Sequence, residues 1–428
     1  MTAQGSSPTA SAQRPSPKAS WLEARRLARI FCLDDFEPAA RRHLPRPIFG
    51  YVAGAAETNA SYRDNRAVFD EYGFRQRVLR DVSGRESSLD LLGGRYSAPF
   101  GIAPMGISSL TGYRGDLAQA RAAERAGIPM ILSGSSLIRL EEVVEAAPST
   151  WFQAYLPADS SQIAALVDRV AQAGVETLVV TVDSAVVPNR ENNLRNGFRT
   201  PLRPDLRLLW DGVTHPAWSL GTFLRTMLHH GMPHFENNTA ERGAAILSRH
   251  ATRDFSGREH LDWEEWRCIR RQWQGNLVIK GLLHPEDVAT ARQHGADGVI
   301  LSNHGGRQLD GAVSPMRALP EALDVAGEMA VMIDSGFRRG TDVIKALALG
   351  ARCAFIGRPF NYAAAIGGEA GVDHAIELLM SEIRADMGML GINRLAELDP
   401  AMLVDLALSC RQVPKRAFAY HGKSGPRC

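Results

Sequence analysis

Eight short apolar runs recur from about residue 96 onward, and each breaks off into polar or glycine residues before a helical stretch begins. They read PFGIAPMG, IPMILSG, TWFQAYLP, TLVVTVDSA, NLVIKGLL, DGVILSNHGG, AVMIDSGFRRG and CAFIGRP. Nearly continuous apolar character is what a parallel strand buried on both faces requires. Several runs follow a helix-like segment ending in glycine: AERAGIPMIL, VAQAGVETLVV, ARQHGADGVI and ALALGARCAFIG. Gly127, Gly174, Gly295 and Gly350 fall where a helix needs a left-handed residue to close. The repeating unit is helix, glycine, strand. Eight such units make a closed α/β fold, a (β/α)8 TIM barrel with helices outside, the economical arrangement. An open doubly wound sheet competes with it, but would need a Gly-x-Gly-x-x-Gly turn after its first strand, and none stands there.

The remaining segments are placed around that barrel. Residues 1–20, rich in Ser, Ala, Pro and Thr, read as a disordered tail with no secretory apolar core. Residues 21–95 read as an N-terminal helical segment, with Trp21–Phe31 helix-like, and the barrel spans 96–393. A long excursion over 195–260, between strands four and five, carries Pro201, Pro204, Pro216 and Pro233 and is expected to be a lid or docking surface. A short helical tail is expected over 394–428.

Charge and cysteine content narrow the function classes. A formal net charge of +2 argues against a dedicated nucleic-acid binder. The cysteines, Cys32, Cys268, Cys353, Cys410 and Cys428, are odd in number and scattered, which suits a reducing compartment and no disulfide framework. His229, His230 and His234 lie close together but lack an acidic or Cys partner, so no metal is expected. No run reaches the length of a membrane span, so any membrane contact would be peripheral.

In a barrel, functional side chains collect where strands end. Those ends carry Ser133, Gln153 and Tyr155, Thr181 and Asp183, Lys280, Asn303 and His304, Asp334 and Arg358. Satisfied core polar groups would account for one or two of these positions, not for all the strands together. DSGFRRGTD and GRPF carry glycines, supply arginines and precede helices, as an anion site does. Arg338 or Arg339, with Arg358, would clamp a phosphate, and Asp334 would meet a ribityl or ribose hydroxyl. The turn VILSNHGGRQLDG supplies His304 as a candidate base, with Asp183 to stabilise its imidazolium. Arg307 and Arg190 could grip a carboxylate bidentately. Lys280 suits a cation facing charge that develops during reaction.

SNHGGRQLDG, with FQAYL, TVDSA, LVIKGLL, DSGFRRGTDV and FIGRPF, resembles the FMN-dependent α-hydroxy acid oxidases and dehydrogenases over residues 40–395. That family includes glycolate oxidase, L-lactate dehydrogenase and (S)-mandelate dehydrogenase. The resemblance implies oxidation of an (S)-2-hydroxy acid to the 2-oxo acid, with FMN held in a TIM barrel. It implies His304 as base with Asp183 as partner, Tyr155 near the reacting hydroxyl, and Arg190, Arg307 and Tyr51 on the substrate carboxylate. It places Pro104, Met105, Gly106, Ser133, Gln153, Thr181 and Lys280 against the flavin ring, and Asp334, Gly336, Arg338, Gly357 and Arg358 along the ribityl phosphate. It also implies a cytoplasmic homotetramer, with peripheral contact to the inner face of the membrane through 195–260 as a branch habit. The electron acceptor is left open among oxygen, quinone and a carrier protein.

Three positions depart from or qualify the family pattern. Met105 stands where the family commonly has the Thr of Pro-Thr-Ala or Pro-Thr-Gly, Ser135 stands where glycolate oxidase has an aromatic residue, and Gly106 leans towards a dehydrogenase. Two other functions stay open on sequence: a flavin-dependent isomerase on the same barrel, and an FMN-binding protein without turnover.

Overall fold

The computed structural model describes residues 21–198, 206–248 and 258–406. The expected tail over 1–20, parts of the 195–260 excursion, and 407–428 lie outside those residues.

Each of the eight apolar runs forms a strand. They are β1 (Phe100–Ile102), β2 (Ile131–Ser133), β3 (Trp151–Tyr155), β4 (Thr177–Thr181), β5 (Asn276–Leu282), β6 (Gly298–Leu301), β7 (Ala330–Asp334) and β8 (Ala354–Ile356). All neighbouring pairs from β2 round to β1 are parallel. The last seam, β1 to β2, is held by a parallel bridge between Ile102 and Met130. The result is a nearly closed barrel ringed by helices, the fold expected from the repeated unit. Gly127, Gly174, Gly295 and Gly350 all take positive φ, as their places between helix and strand require.

The barrel interior is packed, not hollow. Ala103, Ile131, Trp151, Val179, Val278, Ile300, Met332 and Phe355, one from each strand or its end, form one buried cluster. Leu91 belongs to the same cluster and is only 3% exposed. It comes from a hairpin, Leu89–Leu91 with Gly94–Tyr96, laid across the N-terminal end of the barrel. Leu92 O there accepts from Asn276 Nδ2 at 2.9 Å, and Trp151 Nε1 donates to Tyr96 OH at 3.1 Å. The hairpin plugs that end.

Before the barrel come three helices that position the site: α1 (Phe36–His43), α2 (Arg46–Ala53) and α3 (Ala60–Ala67). The helix at Trp21 stops at Leu27, short of the expected Phe31. The C-terminal segment is not a helical tail in its described part. Two 3-10 turns, Leu395–Glu397 and Pro400–Met402, lead to a strand, Leu403–Asp405, which pairs antiparallel with Tyr72–Phe74. In the excursion, Leu206–Thr214, Pro216–Trp218 and Arg225–His230 are helical. Trp218 anchors it, its Nε1 donating to Leu110 O at 2.7 Å, while Leu209, Trp210, Val213, Leu220 and Leu228 stay exposed. No described helix is long and apolar enough to cross a membrane.

Candidate active site

The C-terminal ends of the strands surround a cavity of ≈ 680 Å³. Pro104, Met105 and Gly106 line it after β1, Tyr155 from β3, Thr181 and Arg190 from β4 and its loop, and Lys280 from β5. His304 and Arg307 follow β6, Asp334, Gly336 and Arg338 follow β7, and Gly357 and Arg358 follow β8, with Tyr51 reaching in from α2. Ser133, Gln153, Asp183 and Asn303, picked from the sequence, are not part of the lining. Ser133 and Gln153 are buried, with Ser133 Oγ 3.2 Å from Gln153 Oε1, and Asp183 backs His304.

His304 occupies an unusual backbone position. Its φ is +57°, and Gly305 and Gly306 follow at +65° and +75°. A left-handed conformation costs a non-glycine residue about 1–2 kcal/mol, so the turn must be held by its surroundings. Ser302 Oγ accepts from His304 N at 2.9 Å, Ser335 Oγ from Gly305 N at 3.0 Å, and Asn303 Oδ1 from Gly306 N at 3.0 Å. Asn303 is itself paired with Asn65 of α3 through reciprocal 2.8 Å amide bonds. The two glycines are required by protein neighbours. A Cβ on Gly305 would lie 2.7 Å from Arg358 Nη1, and one on Gly306 2.6 Å from the backbone nitrogen of Tyr62.

Held this way, His304 turns Nδ1 to Asp183, 3.0 Å from Oδ1, and Nε2 towards the Tyr155 hydroxyl at 3.3 Å. Burial alone would raise the Asp183 carboxyl, but His304, Lys280 and Arg190 outweigh it and hold it below its usual range. An ionised carboxylate only accepts, so Nδ1 carries the hydrogen and Nε2 keeps its lone pair. Burial pulls the His304 imidazole below its ordinary value; Asp183 opposes this, and Lys280 and Arg190 add to it. A neutral imidazole with an outward lone pair is the base form.

Lys280 is 3% exposed and lies 2.9 Å from Asp334 Oδ2 and 2.8 Å from Ser302 Oγ. Burial works against its charge, yet Asp334 and Asp183 prevail and hold the ammonium above its usual range. The site thus keeps a fixed buried cation among carboxylates.

Arg190, Arg307, Arg338 and Arg358 bring guanidinium groups from the strand ends to the cavity. Arg190 Nε donates to Arg307 O at 3.0 Å, and its Nη2 to Gln308 Oε1. Arg307 Nη1 donates to the carbonyls of Tyr51 and Gly54, both at 2.7 Å, with its guanidinium over the Tyr51 ring. Arg358 shares the Val52 and Gly54 carbonyls with Arg307, while Arg338, 5% exposed, lines the cavity after β7. Arg339, the alternative to Arg338, does not line the cavity and pairs with Glu382.

Several site residues escaped the sequence reading. Ser302, given no role there, bridges the Lys280 ammonium and the His304 amide. Gln308 ties Arg190 to the Asp183 carbonyl. Tyr62, Asn65 and Arg66 of α3 line the cavity although nothing local marks them. Their one signal is helical spacing of polar residues beside a segment already expected to be helical. Val186, Val187, Leu194 and Phe198 add an apolar wall, with Ser135 also in the lining.

Known proteins agree on the chain's kinship. The FMN-dependent dehydrogenase family matches residues 40–405. (S)-Mandelate dehydrogenase of Pseudomonas putida is 39% identical over 382 residues, covering 87% of this chain and 94% of that protein. An L-lactate dehydrogenase of Ectopseudomonas mendocina is 39% identical over 381 residues, covering 86% and 97%. The chain belongs to the FMN-dependent dehydrogenase family. Among solved structures of relatives, that of the monotopic membrane protein (S)-mandelate dehydrogenase aligns with a TM-score of 0.80 at 37% identity, covering 88% of this chain and all of that one.

As an FMN-dependent dehydrogenase the chain is an oxidoreductase, and its cavity fits FMN. Gln153 Nε2, Thr181 Oγ1 and Arg338 Nη1 are buried with no hydrogen-bond partner in the protein. Such groups are costly unless a ligand satisfies them. The first two suit the polar edge of a flavin, the third a phosphate. A Cβ on Gly357 would lie 2.9 Å from Met105 Sδ, and one on Gly336 2.0 Å from Asn65 O, so backbone must border the cavity at both places.

Proposed function

We propose that this FMN-dependent dehydrogenase oxidises an (S)-2-hydroxy acid to the 2-oxo acid, with a side chain larger than that of glycolate. The observation that carries this is the convergence on one cavity of His304 Nε2, the Tyr155 hydroxyl and two arginines, Arg190 and Arg307. The arginines and Tyr51 bind the substrate carboxylate, which fixes the α-carbon beside the base. His304 Nε2 takes one of the two protons released, and Asp183 stabilises the imidazolium. Bound FMN supplies the acceptor for two electrons and the second proton. Lys280 offers fixed positive charge where negative charge develops. Gln153, Thr181 and Ser133, with the backbone of Pro104, Met105 and Gly106, hold the ring; Asp334, Gly336, Arg338, Gly357 and Arg358 hold the ribityl phosphate.

The apolar wall of Val186, Val187, Leu194 and Phe198, together with the small Ser135, supports an aryl or branched side chain over a methyl group. The (S)-mandelate dehydrogenase relative supports this choice, and the equally similar L-lactate dehydrogenase relative supports a methyl group. The exposed apolar residues of the excursion support peripheral attachment at the inner face of a membrane, and the family resemblance supports a homotetramer. Anaerobic mixing with (S)-mandelate and with L-lactate tests the reading: bleaching of the flavin is expected with both, faster with mandelate. An unbleached flavin with these and with longer 2-hydroxy acids would sink it.

A further inference from the structure

The C-terminal end of α2 carries two guanidinium groups. Arg307 Nη1 contacts the carbonyls of Tyr51, Val52 and Gly54 at 2.7, 3.2 and 2.7 Å. Arg358 takes two of the same carbonyls: Nε donates to Val52 O at 3.0 Å and Nη2 to Gly54 O at 2.9 Å. Its third nitrogen, Nη1, donates to Gly305 O at 3.0 Å, in the turn that holds His304. The exposed carbonyls at a helix C-terminus carry partial negative charge, which suits them to receive two cations. Tyr51 sits in the last turn of this helix, its ring 4.5 Å from that of Phe198 and 4.9 Å from the Arg307 guanidinium.

A guanidinium has five N–H groups in a rigid plane. Arg358 commits three of them to α2 and the His304 turn, which leaves two for a ligand on its cavity side. We propose that Arg358 is a positioning residue for the substrate-carboxylate site: it fixes the end of α2, and with it Tyr51 and Arg307, and couples that site to the phosphate of FMN. The proposal rests on the carboxylate site assigned above. Phosphate binding and carboxylate binding then strengthen each other by the same factor, as linkage demands.

The test uses the holoenzyme of Arg358→Lys, whose single ammonium cannot span three carbonyls. FMN affinity is read by flavin fluorescence. Benzoylformate affinity is then read at saturating FMN from the flavin difference spectrum. Benzoylformate should bind about 10-fold more weakly, the size of one lost charged hydrogen bond, and adding Tyr51→Phe should cost much less than it does alone. Weakened FMN with unchanged benzoylformate affinity overturns the proposal. If Tyr51→Phe and Arg307→Lys each leave benzoylformate affinity untouched, the carboxylate site itself is misassigned, a separate failure. Should Arg358→Lys not fold, hydrogen exchange of residues 46–56 in the native enzyme decides: slowing on addition of FMN supports the coupling, and no change overturns it.

Discussion

Asp183 and His304 meet through both carboxylate oxygens, with His304 Nδ1 3.0 Å from Oδ1 and 3.2 Å from Oδ2. They come from different strand ends, after β4 and β6, so the pair exists only once the barrel is assembled. The carboxylate fixes the imidazole's tautomer and aims Nε2 at Tyr155.

Replacing the base is the most direct check. His304→Ala should slow flavin reduction by about 10²–10⁴-fold, the usual worth of general-base catalysis, while the protein stays yellow. A colourless protein would mean that His304 serves the cofactor, not the reaction.

The acid limb of the pH profile should follow the imidazole. On the proposed mechanism reduction requires neutral His304, whose pKa lies below the ordinary histidine value because of burial. The acid limb of kcat/KM should therefore fall below about 6.5. Asp183 works to raise that pKa, so Asp183→Asn should move the limb further down while lowering the plateau rate. A limb that moved up would contradict the pairing.

Arg190→Lys should weaken substrate binding about 10-fold or more, since an ammonium cannot make a paired planar contact. Stopped-flow titration of the reduction rate against substrate concentration measures it. Unchanged saturation behaviour would remove Arg190 from the carboxylate site.

Lys280→Met would remove the ion-pair partner of Asp334 in a buried setting. Losing one member of a buried ion pair costs about 3–5 kcal/mol, to be read from urea unfolding. Ser302→Ala, which removes only a neutral bridge, should cost about 1–2 kcal/mol.

Asp116, 2% exposed, offers a pH test of stability away from the cavity. Burial raises its carboxyl from 3.8 to about 6, against the opposing hydrogen bond from Ser109. A raised folded pKa gives stability at low pH that is lost as pH climbs from about 4 to about 6. Asp116→Asn should thus gain little at pH 4 and up to about 3 kcal/mol at pH 7 and above. Equal effects at both pH values would contradict the raised Asp116 carboxyl.

The strands and their functional ends were legible because each run carries its own apolar pattern, and because His304, Arg307 and Lys280 interrupt it with chemistry. The contribution of α3 was not. Asn65 reaches Asn303 across 238 residues, and no local pattern announces such a contact. The close approach of Arg358 and Tyr62 to the two glycines after His304 is visible only in three dimensions. The strand Leu403–Asp405 was read as helix because its identity depends on Tyr72–Phe74, far away in sequence.

The hairpin bearing Leu91 gives the barrel a sealed floor, so the N-terminal end offers the site no entrance and the cavity lies at the C-terminal mouth. On the proposed chemistry, the 2-oxo acid leaves by the passage its precursor entered, and the electron acceptor approaches from that same side. Double-reciprocal plots for substrate and acceptor should run parallel, the kinetic mark of a room with one door.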